Sequence, residues 1–242
     1  MKAYPCYIYI NETEGYVFST GVHFKTFAAA LLNSKSGFLM LRGYPEEAMY
    51  DKHTFFEYVP TKDIDNFIQE EDVYNYGDFC WVDFSDDKSI TKLTDKEIAE
   101  LLFAAHMKRP LESAFYSSIR NQYLYLCHDD DYWVKVYMQD IKQYKLVIAQ
   151  KIRDCFMGRK RSLAPIPNDI IDVLFNFFKS GAVFDFENST VSSIHTGVRI
   201  FPTRNIGFCA DDIHKELDHQ RNIAGLGKYL EYNPKTKKWS LL

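Results

Sequence analysis

Strand-like segments follow one another along this chain in pairs, each pair joined by a short polar turn. No such segment leads into a glycine-rich turn that opens a helix. Strands joined this tightly must run antiparallel, because a parallel return needs a crossover of a dozen or more residues. Three pairs carry the pattern. Residues 4–11 and 15–20 flank Asn11-Glu12-Thr13-Glu14, residues 123–127 and 132–138 flank His128-Asp129-Asp130-Asp131, and residues 229–233 and 238–242 flank Pro234-Lys235-Thr236. All arms but the last, which carries Trp239, draw on Tyr, Phe, Val and Ile, the side chains that suit a pleated surface.

Between the pairs the apolar period changes to that of a helix. Phe24, Phe27, Ala28 and Leu31 share one face, as do Tyr144, Val147, Ile148 and Ile152, and again Ile171, Leu174 and Phe178. Thr94-Asp95-Lys96-Glu97 spells a capping box ahead of Ile98, Leu101, Leu102 and Ala105. A polar helix is expected over 211–222, ended by Gly225-Leu226-Gly227. The prediction is α+β: a mostly antiparallel sheet built from hairpins, with four to six packed helices.

At 242 residues the chain can bury a core without staples, and 1–242 is read as a single compact unit. Charge suggests where it would divide. Residues 1–100 hold 9 Lys and Arg against 18 Asp and Glu, a net of −9, while residues 101–242 hold 20 against 15, a net of +5. A two-lobe split would therefore set an acidic α/β lobe, 1–90, against a mixed α+β lobe, 91–242, with 85–94 as the linker.

The five cysteines are scattered and form no C-x-x-C pair, so they read as reduced, buried small hydrophobes. The first residues lack an apolar leader with a cleavage site, and the longest apolar run, Phe27 to Leu32, is far too short to span a bilayer. A cytoplasmic protein without membrane contact is expected.

Four segments could carry chemistry. His128, Asp130 and Asp131 put an imidazole beside carboxylates, the makings of a general base, although Asp-rich hairpin turns also arise because Asp bonds its own backbone. His214 and Asp218 lie four apart on the polar helix, the spacing of a two-ligand metal clip, and His219 stands about 100° further round. The alternative there is a solvated face with Lys215, Glu216, Gln220 and Arg221. Arg159, Lys160 and Arg161 form the basic cluster that could meet phosphates, but no nucleic-acid motif supports it and the chain is acidic overall. Cys127 adjoins His128, yet neighbours on a strand point to opposite faces and cannot pair as nucleophile and base.

No cofactor is expected, since Gly225-Leu226-Gly227 lacks the strand before it and the helix after it that a phosphate loop needs. The expected function is a cytosolic, non-catalytic, regulatory role, like that of an immunity or inhibitor protein. The chain would bind a protein partner through an acidic, aromatic surface. The alternative is a hydrolase with a His/Asp site, metal-assisted in one version, that joins the His128 and His214 segments.

Overall fold

The computed structural model describes residues 4–31, 37–42, 57–60, 62–63, 66, 79–84, 87–104, 113–128, 133–156, 163–192, 195–203, 210–223 and 225–242. The chain forms two compact units. One gathers residues 1–13, 18–22 and 142–242, the other 14–17 and 23–141. Residues 87–94, part of the segment read as a linker, lie inside the second unit.

The second unit is built on strands β2 (Tyr16–Thr20, of which only the first two residues belong here), β3 (Gly37–Arg42), β4 (Glu57–Pro60), β5 (Phe79–Phe84), β6 (Tyr123–His128) and β7 (Trp133–Met138). Their order is β2-β7-β6-β5-β3-β4. The β6–β7 hairpin pairs Tyr123 with Met138 and His128 with Trp133, as the alternation predicts. β5 lies antiparallel between β6 and β3.

Both faces of β5 and β6 are covered, which is why these strands are apolar at nearly every position. On one face sit the rings of α1 (Phe24–Leu31). Phe24 stacks on Trp81 with centroids 4.3 Å apart and planes 12° apart, and Phe27 meets Tyr123 edge-on at 4.9 Å. On the other face Val82, Phe84, Leu124 and Leu126 pack with Ile90, Leu93, Ile119 and Leu101, the last from α2 (Asp95–Ala104). Two buried polar side chains here are satisfied by nearby backbone. Buried Asp83 accepts from the backbone N–H of Gln122 and Tyr123 at 2.8 and 2.9 Å, and buried Asn121 bonds Tyr116 N, Ala114 O and Tyr123 O.

The capping box forms as read. Thr94 N–H donates to Glu97 Oε2 at 2.8 Å and Glu97 N–H to Thr94 Oγ1 at 3.2 Å, while Ser118 Oγ donates to the same carboxylate. The bond from the Thr94 backbone N–H, ahead of those from the Thr94 and Ser118 hydroxyls, holds the Glu97 carboxyl below its ordinary value. A carboxyl lowered in the folded state adds stability above its unfolded value and loses it as pH falls through the folded one. Glu97→Ala is therefore expected to cost about 1 kcal/mol at neutral pH. Urea unfolding at pH 7 and pH 3 checks this, with the deficit shrinking once the pH drops below about 4.

The first unit carries β1 (Cys6–Asn11), β8 (Ala182–Phe184), β9 (Thr190–Val191), β10 (Thr196–Pro202), β11 (Lys228–Asn233) and β12 (Lys238–Leu241). The order is β12-β11-β10-β8-β1, every pair antiparallel, with β9 on the end of β10. Its helices are α3 (Tyr144–Phe156), α4 (Asn168–Phe178) and α5 (Ala210–Arg221). The helical periods read from the sequence point inward: Tyr144, Val147, Ile148, Ile152, Ile171, Leu174 and Phe178 are all buried. The α+β class and antiparallel pairing thus hold, with five helices among the described residues.

Among the described residues most of the rings lie inside. Trp81, Trp133 and Trp239 are all buried, and Trp239 Nε1 donates to Ala164 O at 2.9 Å. Among the described residues no helix is long and apolar enough to cross a membrane.

Candidate functional site

The site lies in the first unit and begins with the alternation of β10. Val198 and Ile200 point into the core, which sends Gly197 and Arg199 to the opposite face. The register then sets Gly197 between Thr190 of β9 and Glu231 of β11, and Arg199 beside Tyr229. Thr190, Arg199 and Tyr229, together with Asp185, Asn188 and Arg221, line a cleft of about 630 Å³.

Gly197 has a specific task here. The Tyr229 ring lies directly over it, and a methyl group at 197 would overlap the Tyr229 hydroxyl. With nothing but backbone beneath it, the ring lies flat, and its Oη sits 2.7 Å from His195 Nε2. The other imidazole nitrogen, Nδ1, is 3.7 Å from Glu231 Oε2, and Ser240 Oγ donates to Glu231 Oε1 at 2.9 Å. His195 is itself pinned. Its N–H donates to Ser192 Oγ at 3.1 Å, and its carbonyl accepts from Ser192 N–H at 2.8 Å. In the Nδ1–H tautomer Tyr229 donates to Nε2 and the imidazole proton faces Glu231. In the imidazolium form Nε2–H donates to Tyr229 Oη, which frees the phenol proton for a ligand.

Arg221, the last residue of α5, closes another wall. Its Nε and Nη2 grip the two oxygens of Asp185 at 2.9 and 2.7 Å, Nη1 reaches Asp218 at 2.7 Å, and Nη2 reaches Glu187 at 3.2 Å. Asp185 is only 2% exposed, and Asn188 Nδ2 donates to both of its oxygens at 3.2 Å. Its hydrogen bonds to Asp185, more than those to the other carboxylates, raise the guanidinium above its already high ordinary value, so Arg221 stays charged. This forked pair ties the end of α5 to the turn after β8.

A second cleft shares Arg199, Arg221 and Tyr229 with the first. Its remaining lining includes Ile223, Leu226 and Leu242 together with Asn222 and Lys228. Gly225 and Gly227 carry φ of +74° and +87° in the loop that ends α5 and starts β11, the role their sequence suggests.

The residues singled out from sequence fall as follows. Asp218 is occupied by Arg221, His214 is half-buried and His219 exposed. Among the described residues no three of His, Cys, Asp and Glu gather to hold a metal ion. The face read as solvated is not so throughout, because Gln220 is buried and donates to Pro202 O and Glu216 Oε1. His128 closes β6 in the second unit, but its side chain, Asp130 and Asp131 lie outside the described residues, as do Arg159, Lys160 and Arg161. Cys127 is buried, and burial pushes the Cys6 thiol up to about 12, far from a nucleophile's range.

Arg199, Tyr229, His195, Glu231 and Asp185 escaped the sequence reading. One signal was available: a glycine inside the strand 196–202 marks a spot where another group approaches the backbone closely. No family model matches the chain, and no curated protein or solved structure matches it either.

Proposed function

We propose that the chain acts by binding another protein, in the manner of an immunity or inhibitor protein, through an acidic surface that holds aliphatic anchors. The observation that supports this reading is the exposed side of α3 and α4. Leu146 is 54% exposed and Val173 43% exposed. Each stands one residue past a member of the Lys145–Asp172 ion pair, which joins the two helices at 2.6 Å. Asp169 and Asp172 are exposed beside Val173, while α3 carries Lys145, Lys151 and exposed Arg153 along with Asp154. Aliphatic side chains held in water on packed helices, with carboxylates beside Val173, suit a partner that offers apolar pockets edged by basic groups. Among the described residues most of the rings fill the cores.

The test uses the tagged chain and its Leu146→Asp, Val173→Asp double variant as baits, with circular dichroism showing that both fold alike. The expected result is a stoichiometric, basic partner that the native chain retains at 50 mM salt, releases with rising salt, and that the double variant fails to retain. Equal retention by both baits, or no stoichiometric partner for either, would overturn the reading.

A further inference from the structure

Arg199 stands at the junction of the two clefts, and it is the cation there without an assigned task. Asp185, which lines the cleft with it, is engaged by Arg221, and Glu231 of the neighbouring strand faces His195 and accepts from Ser240. Among the described residues no carboxylate pairs with the Arg199 guanidinium. On one side of it are hydroxyl and amide groups from Thr190, Asn188 and Tyr229. On the other are Ile223, an apolar side chain 44% exposed, and half-buried Leu226, with Leu242 beside Tyr229 in the lining. These are two separate unmet demands, a guanidinium lacking an oxyanion and an aliphatic lip lacking a cover, and they share one concavity.

We infer that the paired clefts bind a ligand made of an oxyanion on an apolar body. A carboxylate or phosphate would sit on the Arg199 fork, and an aliphatic stem would lie along Ile223, Leu226 and Leu242. A guanidinium presents parallel N–H groups that match two oxygens of one anion, and it sheds water more readily than an ammonium. Small-molecule sites are usually built in this way, with a mostly apolar wall and a few converging polar groups. Tyr229 adds a third donor. His195 holds its hydroxyl in place, and when the imidazole donates to Tyr229 Oη the phenol proton turns to the anion. This site is independent of the α3–α4 surface and stands or falls without it.

The experiment titrates the full chain, labelled with nitrogen-15, with octanoate, its neutral counterpart octanamide, inorganic phosphate and the dipeptide N-acetyl-Leu-Leu with a free carboxylate. Arg199 Nε–H and the His195 ring report binding. Saturable shifts are expected with octanoate or with the dipeptide. The affinity should be at least tenfold above that of octanamide and of phosphate, and it should fall at least tenfold in Arg199→Gln. Whichever acid binds more tightly identifies the source as a free aliphatic acid or a peptide end. Tyr229→Phe is expected to lose severalfold with its His195 neighbour unmoved, and Gly197→Ala, which displaces the ring, should lose at least as much. Octanamide binding as tightly as octanoate would overturn the proposal. So would Arg199→Gln binding as the native chain does, or the absence of saturable binding by either acid. Arg199 is exposed, so its replacement tests the site without threatening the fold.

Discussion

Trp81→Ala is expected to destabilise the second unit by about 4 kcal/mol, the upper range for large-to-small changes in a core. Trp81 is buried at the centre of β5, opposite Tyr125 in the register, with Phe24 of α1 stacked on it at 4.3 Å. Phe24 in turn meets Tyr125 edge-on at 5.1 Å, and Phe27 lies 5.1 Å from the same ring. Rings this interlocked cannot slide into a vacated indole site without losing their own contacts, so the cavity persists and the full cost is felt. Trp81→Phe keeps a stacked ring and should cost about half as much. Urea unfolding followed by circular dichroism gives the values, and hydrogen exchange locates them: the amides of β5 and β6 should lose protection together. Protection unchanged in these strands would show that the stack contributes little.

The second large effect is expected at Arg221. Arg221→Ala strands the Asp185 carboxylate, 2% exposed, with Asn188 as its remaining hydrogen-bond partner among the described residues. Stranding one member of a buried ion pair typically costs about 3–5 kcal/mol. The companion change Asp185→Leu removes the stranded charge, so the double variant should recover a large part of the loss. A double-mutant cycle measures the coupling, expected at about 2 kcal/mol or more because the pair is forked and desolvated. Additive effects of the two single changes would mean that Arg221 is held chiefly by Glu187 and Asp218, both exposed carboxylates of small individual worth.

What could be read from the sequence and what could not divide along separation in the chain. The Thr94–Glu97 box lies within four residues, and both of its bonds form as its spacing requires. The β6–β7 and β11–β12 hairpins were legible because alternation and a polar turn are adjacent signals. The site was not, because it is assembled from distant pieces. Arg221 meets Asp185 from 36 positions away, and His195 meets Tyr229 from 34. No local period encodes such a meeting. The spacing of His214 and Asp218 was real, but it says nothing of competitors. Arg221, three residues beyond Asp218, takes that carboxylate at 2.7 Å. Gln220 likewise reads as polar surface, yet it turns inward to donate to a carbonyl of β10, a contact no helical wheel contains.

The way the chain divides between its units sets a timetable for its birth. β1 and its neighbour β2 are made before 23–141, but the strand on the other edge of β1, β8, whose Phe184 pairs with Cys6, emerges only after the whole of 23–141 has been synthesised. At about 5–20 residues per second, the open edge of β1 waits roughly 10–35 s on a ribosome. Meanwhile the second unit has all of its own strands and can fold. Cys6-Tyr7-Ile8-Tyr9-Ile10 is an uncharged, ring-rich stretch of high strand preference, the sort of sequence that pairs with whatever edge it meets first. A nascent chain of this design has reason to depend on a holdase early in synthesis, and a circular permutant that begins at residue 142 would shorten the wait.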